Sequence, residues 1–250
     1  MADSIKVAVL GAQGRMGATV CQAVTDAPGL ELVARLDLDD DVASLAGRAD
    51  VAVDFTVPSA TEANVHALLD AGVHAVVGTT GWDDAAINRV QEHAARTDGL
   101  GVLIAPNFAL SAVLAMRFAA QAARFFESAE IIELHHPNKV DAPSGTAVAT
   151  AQHIAAARAA AGLGVMPDAT ETELDGARGA DVEGVPVHAV RLRGLVAHEE
   201  ILFGNPGEQL TIRTDSFDRV SFMPGVLLAV REVGGRPGLT VGLDQLLDLG

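Results

Sequence analysis

One short stretch of the chain carries an unusual concentration of proton donors and positive charge. His135 and His136 are adjacent, Lys139 stands four positions after the first of them, and Asp141–Ala142–Pro143–Ser144–Gly145–Thr146 follows. Four chemistries suit these residue types. A metal site would draw on the histidines, but no His-x₃-His or cysteine partner lies nearby, and a single cysteine in the chain argues against zinc. A nucleophilic lysine would need a depressed pKa. The two histidines could also be ordinary residues at a strand end. The fourth chemistry is acid catalysis beside an anion site. Histidine can donate a proton near neutral pH, and Lys139 adds a point positive charge. Ser144, Gly145 and Thr146 would offer amide N–H groups and hydroxyls at a helix N-terminus, which suits a carboxylate. Pro143 fixes where that helix starts.

Charge makes the lysine conspicuous. The formal net charge is −16, and the only lysines are Lys6 and Lys139. So acidic a surface disfavours nucleic acid and anionic membranes as partners. An anionic substrate would need its positive groups gathered locally. No apolar run reaches the roughly 18 residues of a membrane span. The first residues, with residues 7–10 running into glycines, read as a strand and not a signal peptide. One cysteine, Cys21, fits a reducing compartment, so a cytoplasmic enzyme is expected.

A second motif lies near the start. Gly11–Ala12–Gln13–Gly14–Arg15–Met16–Gly17 joins an apolar strand to a helix. In that context the glycines permit a tight turn, close approach of a pyrophosphate, and close helix–strand packing, with the helix N-terminus facing the phosphates. The spacing is G-x-x-G-x-x-G, a weak signal alone that gains weight from its strand–turn–helix setting. Asp37 falls where an acid would bind the adenosine ribose hydroxyls. A 2′-phosphate there would meet like charge, so NADH is expected to be favoured and strict NADPH use is not; Arg15 and Arg35 are the nearby opposing cations. The acidic run Asp39–Asp41 reads as a solvated loop. Gly78–Thr79–Thr80–Gly81 and Ala105–Pro106–Asn107–Phe108 follow two further strands, at the end of a parallel sheet where ligands bind.

The elements that must hold these groups come in two textures. Apolar runs at residues 5–10, 30–36, 51–55, 73–77 and 101–104 alternate with helical stretches. That pattern indicates an α/β, Rossmann-like doubly wound parallel sheet domain. Beyond about residue 130 the alternation ends. A strand at 131–135, an alanine-rich helix at 144–161, a long polar loop at 163–184 and three successive strands (185–193, 195–203, 208–214) suggest a smaller α+β domain with a mixed or antiparallel sheet. A helix at about 224–233 and an apolar tail close the chain. The expected domains are therefore 1–130, rejoined by about 219–250, for the dinucleotide, and 131–218 for substrate and oligomerisation.

The block Glu133–Leu134–His135–His136–Pro137–Asn138–Lys139–Val140–Asp141–Ala142–Pro143–Ser144–Gly145–Thr146–Ala147 resembles the signature of the 4-hydroxy-tetrahydrodipicolinate (dihydrodipicolinate) reductase family. The glycine loop, Asp54–Phe55–Thr56, Gly78–Gly81 and Ala105–Phe108 match that family's nucleotide-site blocks, so the resemblance spans essentially the whole chain. It implies NADH- or NADPH-dependent reduction of a small cyclic dicarboxylate in lysine and diaminopimelate biosynthesis, with no metal. It implies His135 and Lys139 as catalytic groups, and His136, Gly145 and Thr146 as substrate-carboxylate ligands. Gly11, Ala12, Gln13, Gly14, Arg15, Met16, Asp37, Gly78, Thr79, Thr80, Ala105, Pro106, Asn107 and Phe108 would line the cofactor. It further implies a homotetramer built on the second domain. The chain departs from some members at Pro137–Asn138, where they carry a basic residue, and at Asp37–Leu38, where they carry Glu-Arg. Two other readings remain: a different Rossmann oxidoreductase, which would want a reactive cysteine better placed than Cys21, and a nucleotide-sensing regulator without chemistry. Asp141 could orient a histidine or the lysine or simply cap its loop, and the cap is the reading preferred.

Overall fold

The computed structural model describes residues 4–248, which divide into two compact units: 4–109 with 219–248, and 110–218. The first unit is built on a six-stranded parallel sheet. Its strands are β1 (Ile5–Leu10), β2 (Leu30–Leu36), β3 (Val51–Asp54), β4 (His74–Val77), β5 (Gly101–Ile104) and β11 (Gly238–Val241), in the order β11-β5-β4-β3-β1-β2. The inner strands are near-continuous apolar runs because helices cover both faces; Val7, Ala8, Val9, Ala52, Val53, Ala75, Val76 and Val77 are wholly buried. The helices are α1 (Arg15–Asp26), α2 (Pro58–Asp70), α3 (Asp84–Ala94) and α6 (Met223–Glu232). Each starts for a local reason. Pro58 at the first turn of α2 has no N–H to lose. The Asp83 carboxylate accepts the Ala86 amide at 2.7 Å at the head of α3. In α1, Gly17, Val20, Cys21 and Val24 fall on one face and are buried.

The second unit holds α4 (Leu110–Ala123), α5 (Gly145–Ala160) and a five-stranded mixed sheet. Its strands are β6 (Ser128–His135), β7 (Ala180–Val182), β8 (Val185–Arg191), β9 (Ala197–Asn205) and β10 (Glu208–Ser216), in the order β10-β9-β6-β8-β7. β6 and β8 run parallel; the other neighbours are antiparallel. One face of this sheet is covered by α4 and α5. Ile131, Val187, Ile201 and Phe203 meet alanines 115, 119, 123, 147 and 151 there. Small helix residues let the helices sit close to the sheet.

The expected architecture is the one found, with differences at three places, the first being β7, a three-residue strand paired with β8 inside the expected 163–184 loop. α4 clusters with residues 110–218, so the contacts divide at Ala109/Leu110 and not near 130; strand–helix alternation alone cannot say which sheet a helix covers. The apolar tail forms β11 beside β5, pairing Gly238–Val241 with Gly101–Ile104. A four-residue strand at a sheet edge has too little periodicity to stand out.

Candidate active site

β6 alternates between its two faces, so Ile131, Glu133 and His135 all project to the helix-covered side. Two of these are polar and take the last positions of β6 on that face, Glu133 buried and His135 half-buried. Glu133 is wholly buried yet fully hydrogen-bonded. One carboxylate oxygen accepts the Ser144 amide at 3.0 Å and the Arg191 guanidinium at 2.7 Å. The other accepts Arg191 at 2.8 Å and His135 Nδ1 at 2.5 Å. Arg191 reaches Glu133 because β8 is parallel to β6 and pairs Arg191 with His135. Its guanidinium also donates to the Asp141 carbonyl at 2.7 Å. One carboxylate therefore holds a histidine, an arginine and the start of α5.

The electrostatics follow. Burial would raise the Glu133 carboxyl, but the Arg191 and His135 hydrogen bonds outweigh it and hold it below the ordinary range. It is thus an acceptor, which puts the neutral His135 proton on Nδ1 and leaves Nε2 free to exchange one. His135 itself is pushed down by burial, with Glu133 opposing and Lys139 and Arg191 adding to the fall. Free of ligand, it is a neutral base near pH 7. An anion beside it would restore its proton.

Lys139 follows a turn in which its amide donates to the His136 carbonyl at 3.2 Å. Its ammonium donates to Asp141 at 2.7 Å, and that hydrogen bond lowers the Asp141 carboxyl. Asp141 therefore does more than cap its loop: it orients Lys139. Ser144 is the N-cap of α5, its hydroxyl accepting the Ala147 amide at 3.2 Å. Gly145 follows, exposed, with open space around its α-carbon, and Thr146 is half-buried. His136 is exposed. Within one unit the fold gathers His135, His136, Lys139, Gly145 and Thr146 around the end of β6 and the start of α5. The 163–184 loop does something else. Arg178 pairs with Glu130 and Asp168, and the hollow there, about 500 Å³, lies at the opposite end of β6 from His135.

The first unit carries the glycine loop. Gly11 has φ +73°, and a side chain on it would press on the Phe55 carbonyl at 2.6 Å. A side chain on Gly17 would overlap the Gly11 carbonyl, so this glycine is required for α1 to lie against the loop. Gly14 caps α1 with extended backbone and no side-chain cap, leaving the first-turn amides unclaimed by a capping side chain. Gln13, Gly14 and Arg15 are exposed while Ala12 is buried and Met16 half-buried. Asp37 follows β2 and its carboxylate accepts the Gln13 amide at 2.8 Å, tying the acid to the loop. Asp40 accepts the Asp37 amide and shapes that turn, while Asp41 accepts that of Ala43 and caps the short helix Val42–Leu45; both also face solvent. At the next strand end, wholly buried Asp54 collects hydroxyls from Thr56 (2.6 Å), Thr61 (3.2 Å) and Thr79 (3.2 Å), and the Asn64 amide at 3.1 Å. Gly78, Thr79 and Thr80 follow β4, Ala105, Pro106, Asn107 and Phe108 follow β5, and the Asn107 carbonyl oxygen accepts the Ala109 amide at 2.8 Å. The Phe108 ring is buried against Phe55, at 5.8 Å between centroids, so its backbone is what that position offers a ligand. A glycine cradle, a helix start with no capping side chain and an acid tied to the loop have the form of a dinucleotide site.

Sequence reasoning gave no role to Glu133, Arg191 or Glu199. The signal was present as parity. Glu133 shares the face of Ile131, Arg191 that of Val187, and Glu199 that of Ile201, so each is a charge at a core-facing position.

A doubly wound parallel sheet with such a cradle, together with a proton-donor cluster at a helix start, defines a nicotinamide-dependent oxidoreductase. The models for the N-terminus and C-terminus of dihydrodipicolinate reductase match residues 5–108 and 111–247. The 4-hydroxy-tetrahydrodipicolinate reductase of Beutenbergia cavernae is 76% identical over 246 residues, covering 98% of this chain and 100% of its own; that of Nocardia farcinica is 62% identical over 247 residues, with the same coverage. A dipicolinate-bound dihydrodipicolinate reductase from Paenisporosarcina superposes with TM-score 0.89 at 40% identity, covering 98% of this chain and all of the other. An amine dehydrogenase of Mycobacterium smegmatis, at 15% identity and TM-score 0.62, covers all of this chain and 98% of the other and shares the fold alone. The chain belongs to the dihydrodipicolinate reductase family, NAD(P)H-dependent enzymes of lysine and diaminopimelate biosynthesis. Among the described residues no helix is long and apolar enough to cross a membrane.

Proposed function

We propose that the chain reduces the dehydrated form of 4-hydroxy-tetrahydrodipicolinate to tetrahydrodipicolinate, with His135 and Lys139 as its catalytic groups. The observation that carries this is Glu133, which fixes the His135 tautomer while its other contacts anchor Arg191 and the start of α5. The bound nicotinamide supplies the hydride. Gly11–Met16, Asp37, Gly78–Thr80 and Ala105–Phe108 bind and orient that cofactor. His136, Gly145 and Thr146 hold the substrate carboxylates. These anions restore the proton that burial takes from His135, and Lys139 stabilises charge developing on the ring as hydride arrives. His135 Nε2 then delivers the proton, with Glu133 balancing the imidazolium charge.

Asp37 supports a preference for NADH, because a 2′-phosphate would face a carboxylate already anchored to the loop. A cytoplasmic homotetramer assembled through the second unit is part of the same reading. The edge position of β10 supports it, since an edge strand carries ladder groups that a second copy can pair. Light scattering on purified protein checks the tetramer.

The deciding experiment follows NADH oxidation with freshly made synthase product. His135→Ala and Lys139→Ala should each lower kcat by about 10²-fold or more while NADH still binds. His136→Ala should act mainly on KM. Near-normal kcat in either of the first two variants removes that residue from the chemistry.

A further inference from the structure

Glu199 lies on β9 directly opposite Glu133 on β6. Cross-strand partners share a face and approach closely, so two carboxyl groups sit side by side under the helices. Glu199 is 5% exposed, and among the described residues neither of its oxygens has a well-aligned hydrogen-bond donor, the Thr150 hydroxyl being the one beside it. The hydroxyls around it are directed elsewhere. Thr150 faces it from α5 yet donates to the Thr146 carbonyl at 2.9 Å. Thr214, opposite on β10, donates to Ser111 of α4 at 2.8 Å. Among the described residues, the charged groups on this side are Glu133 and His135 from β6, Arg191 from β8, and the Lys139–Asp141 pair beyond His135.

Glu133 takes the donors that are engaged here: both terminal Arg191 nitrogens, His135 and the Ser144 amide, while Arg191 Nε, like Glu199, is buried without a partner. A second ionised carboxylate beside it would be buried without compensation. We propose that Glu199 is a positioning residue for the reaction, acting beside Glu133 and across the strand pair to set how firmly His135 holds its proton. This rests on the reading of His135 as the acid.

The coupling has a definite sign. Burial pushes the Glu199 carboxyl up to about 7, with the Thr150 hydroxyl opposing and the Glu133 charge adding to the rise. Below that, Glu199 is neutral and Glu133 alone faces His135. Above it, a second negative charge enters one strand over, and the imidazolium is stabilised. The two sites titrate as a coupled pair. His135 therefore remains an acid at pH values where Glu133 alone would let it discharge. Across the ~7–8 Å diagonal between neighbouring strand positions, Coulomb's law gives an effect of roughly one pH unit on His135.

The test uses the full chain with ¹³C-carboxyl-labelled glutamate and ¹⁵N-labelled histidine, titrated by NMR, in wild type and Glu199→Gln. The expected result is one glutamate titrating near neutrality that vanishes in Glu199→Gln, together with a lower His135 midpoint in that variant, by less than the full coupling because Glu199 is only partly ionised while His135 titrates. The basic limb of kcat/KM should move down by the same amount. A Glu199 carboxyl that titrates with the surface glutamates, or a His135 midpoint unmoved in Glu199→Gln, overturns the proposal. Should Glu199→Gln fail to fold, His135→Asn replaces it: the wild-type Glu199 midpoint must then shift, and an unmoved midpoint is equally fatal. Loss of the catalytic reading of His135 would be seen in turnover and not in these titrations, so the two failures are distinct.

Discussion

Replacing Glu133 by Gln keeps the shape of the side chain and removes its charge. The amide offers one oxygen where the carboxylate offered two. It also turns an NH₂ group toward a donor, whichever way it flips. Of the four donors now satisfied, at most those on one side stay paired. If the oxygen keeps Ser144 and one arm of Arg191, the NH₂ group faces His135 Nδ1 and the other arm. Removing one partner of a buried ion pair costs about 3–5 kcal/mol. The surviving hydrogen bonds, and an Arg191 side chain that is 20% exposed, place this variant near the lower figure, about 3 kcal/mol. Against a typical stability of roughly 5–15 kcal/mol, the variant should still fold. Urea melts should show a lower midpoint with an unchanged slope. His135 loses the acceptor that fixes its tautomer, so kcat should fall by about 10²-fold while NADH affinity is kept. A cycle with Arg191→Met isolates the ion-pair contribution. A loss under about 1 kcal/mol with kcat within about threefold of wild type would refute the view that one carboxylate organises the site.

Three other outcomes are expected. Asp37→Ala should raise KM for NADH and improve kcat/KM for NADPH by about tenfold at moderate salt, since one like-charge contact near the surface is removed; parallel kinetics with both cofactors check it. Gly17→Ala should lose at least about 2 kcal/mol and most NADH binding, because its β-carbon would overlap the Gly11 carbonyl; thermal melts with and without NADH separate the two effects. Stability should also carry the mark of Glu199. With a carboxyl raised from 4.5 to about 7, the folded state holds a proton that the unfolded chain releases, so this stability is full below pH 4.5 and is lost as pH rises to 7, by about 3 kcal/mol. Glu199→Gln should flatten that slope in urea melts across pH 4.5–8, and an unchanged slope would assign it to other groups.

Much of the fold was legible because parallel strands buried on both faces write themselves as apolar runs, and β1, β2 and β5 begin and end where those runs do. The glycine loop was legible for a different reason, since its residues are constrained by close approach. What escaped the sequence was partnership. That His135 leans on Glu133 two residues away is a short-range fact, but Arg191 arrives from 58 positions along the chain through a parallel pairing that no local pattern specifies. Asp141 looked like a loop cap because nothing in the spacing shows where the Lys139 side chain turns. Asp54 entered only within the block 54–56 that resembles a nucleotide-site motif, and only the folded sheet reveals it as the acceptor that fixes Thr79.

The placement of β11 has a consequence for how the protein is made. The sheet that binds the dinucleotide is finished by residues 238–241, which pair with residues 101–104 of β5. On a ribosome adding about 5–20 residues per second, β5 waits roughly 7–27 s for its outer neighbour. Throughout that interval the growing chain carries an open hydrogen-bonding edge on an apolar sheet. Residues 110–218 are synthesised meanwhile and have their own core, so they can fold before the first unit is complete. Cofactor capture by the completed sheet must then wait until residues 238–241 have been made.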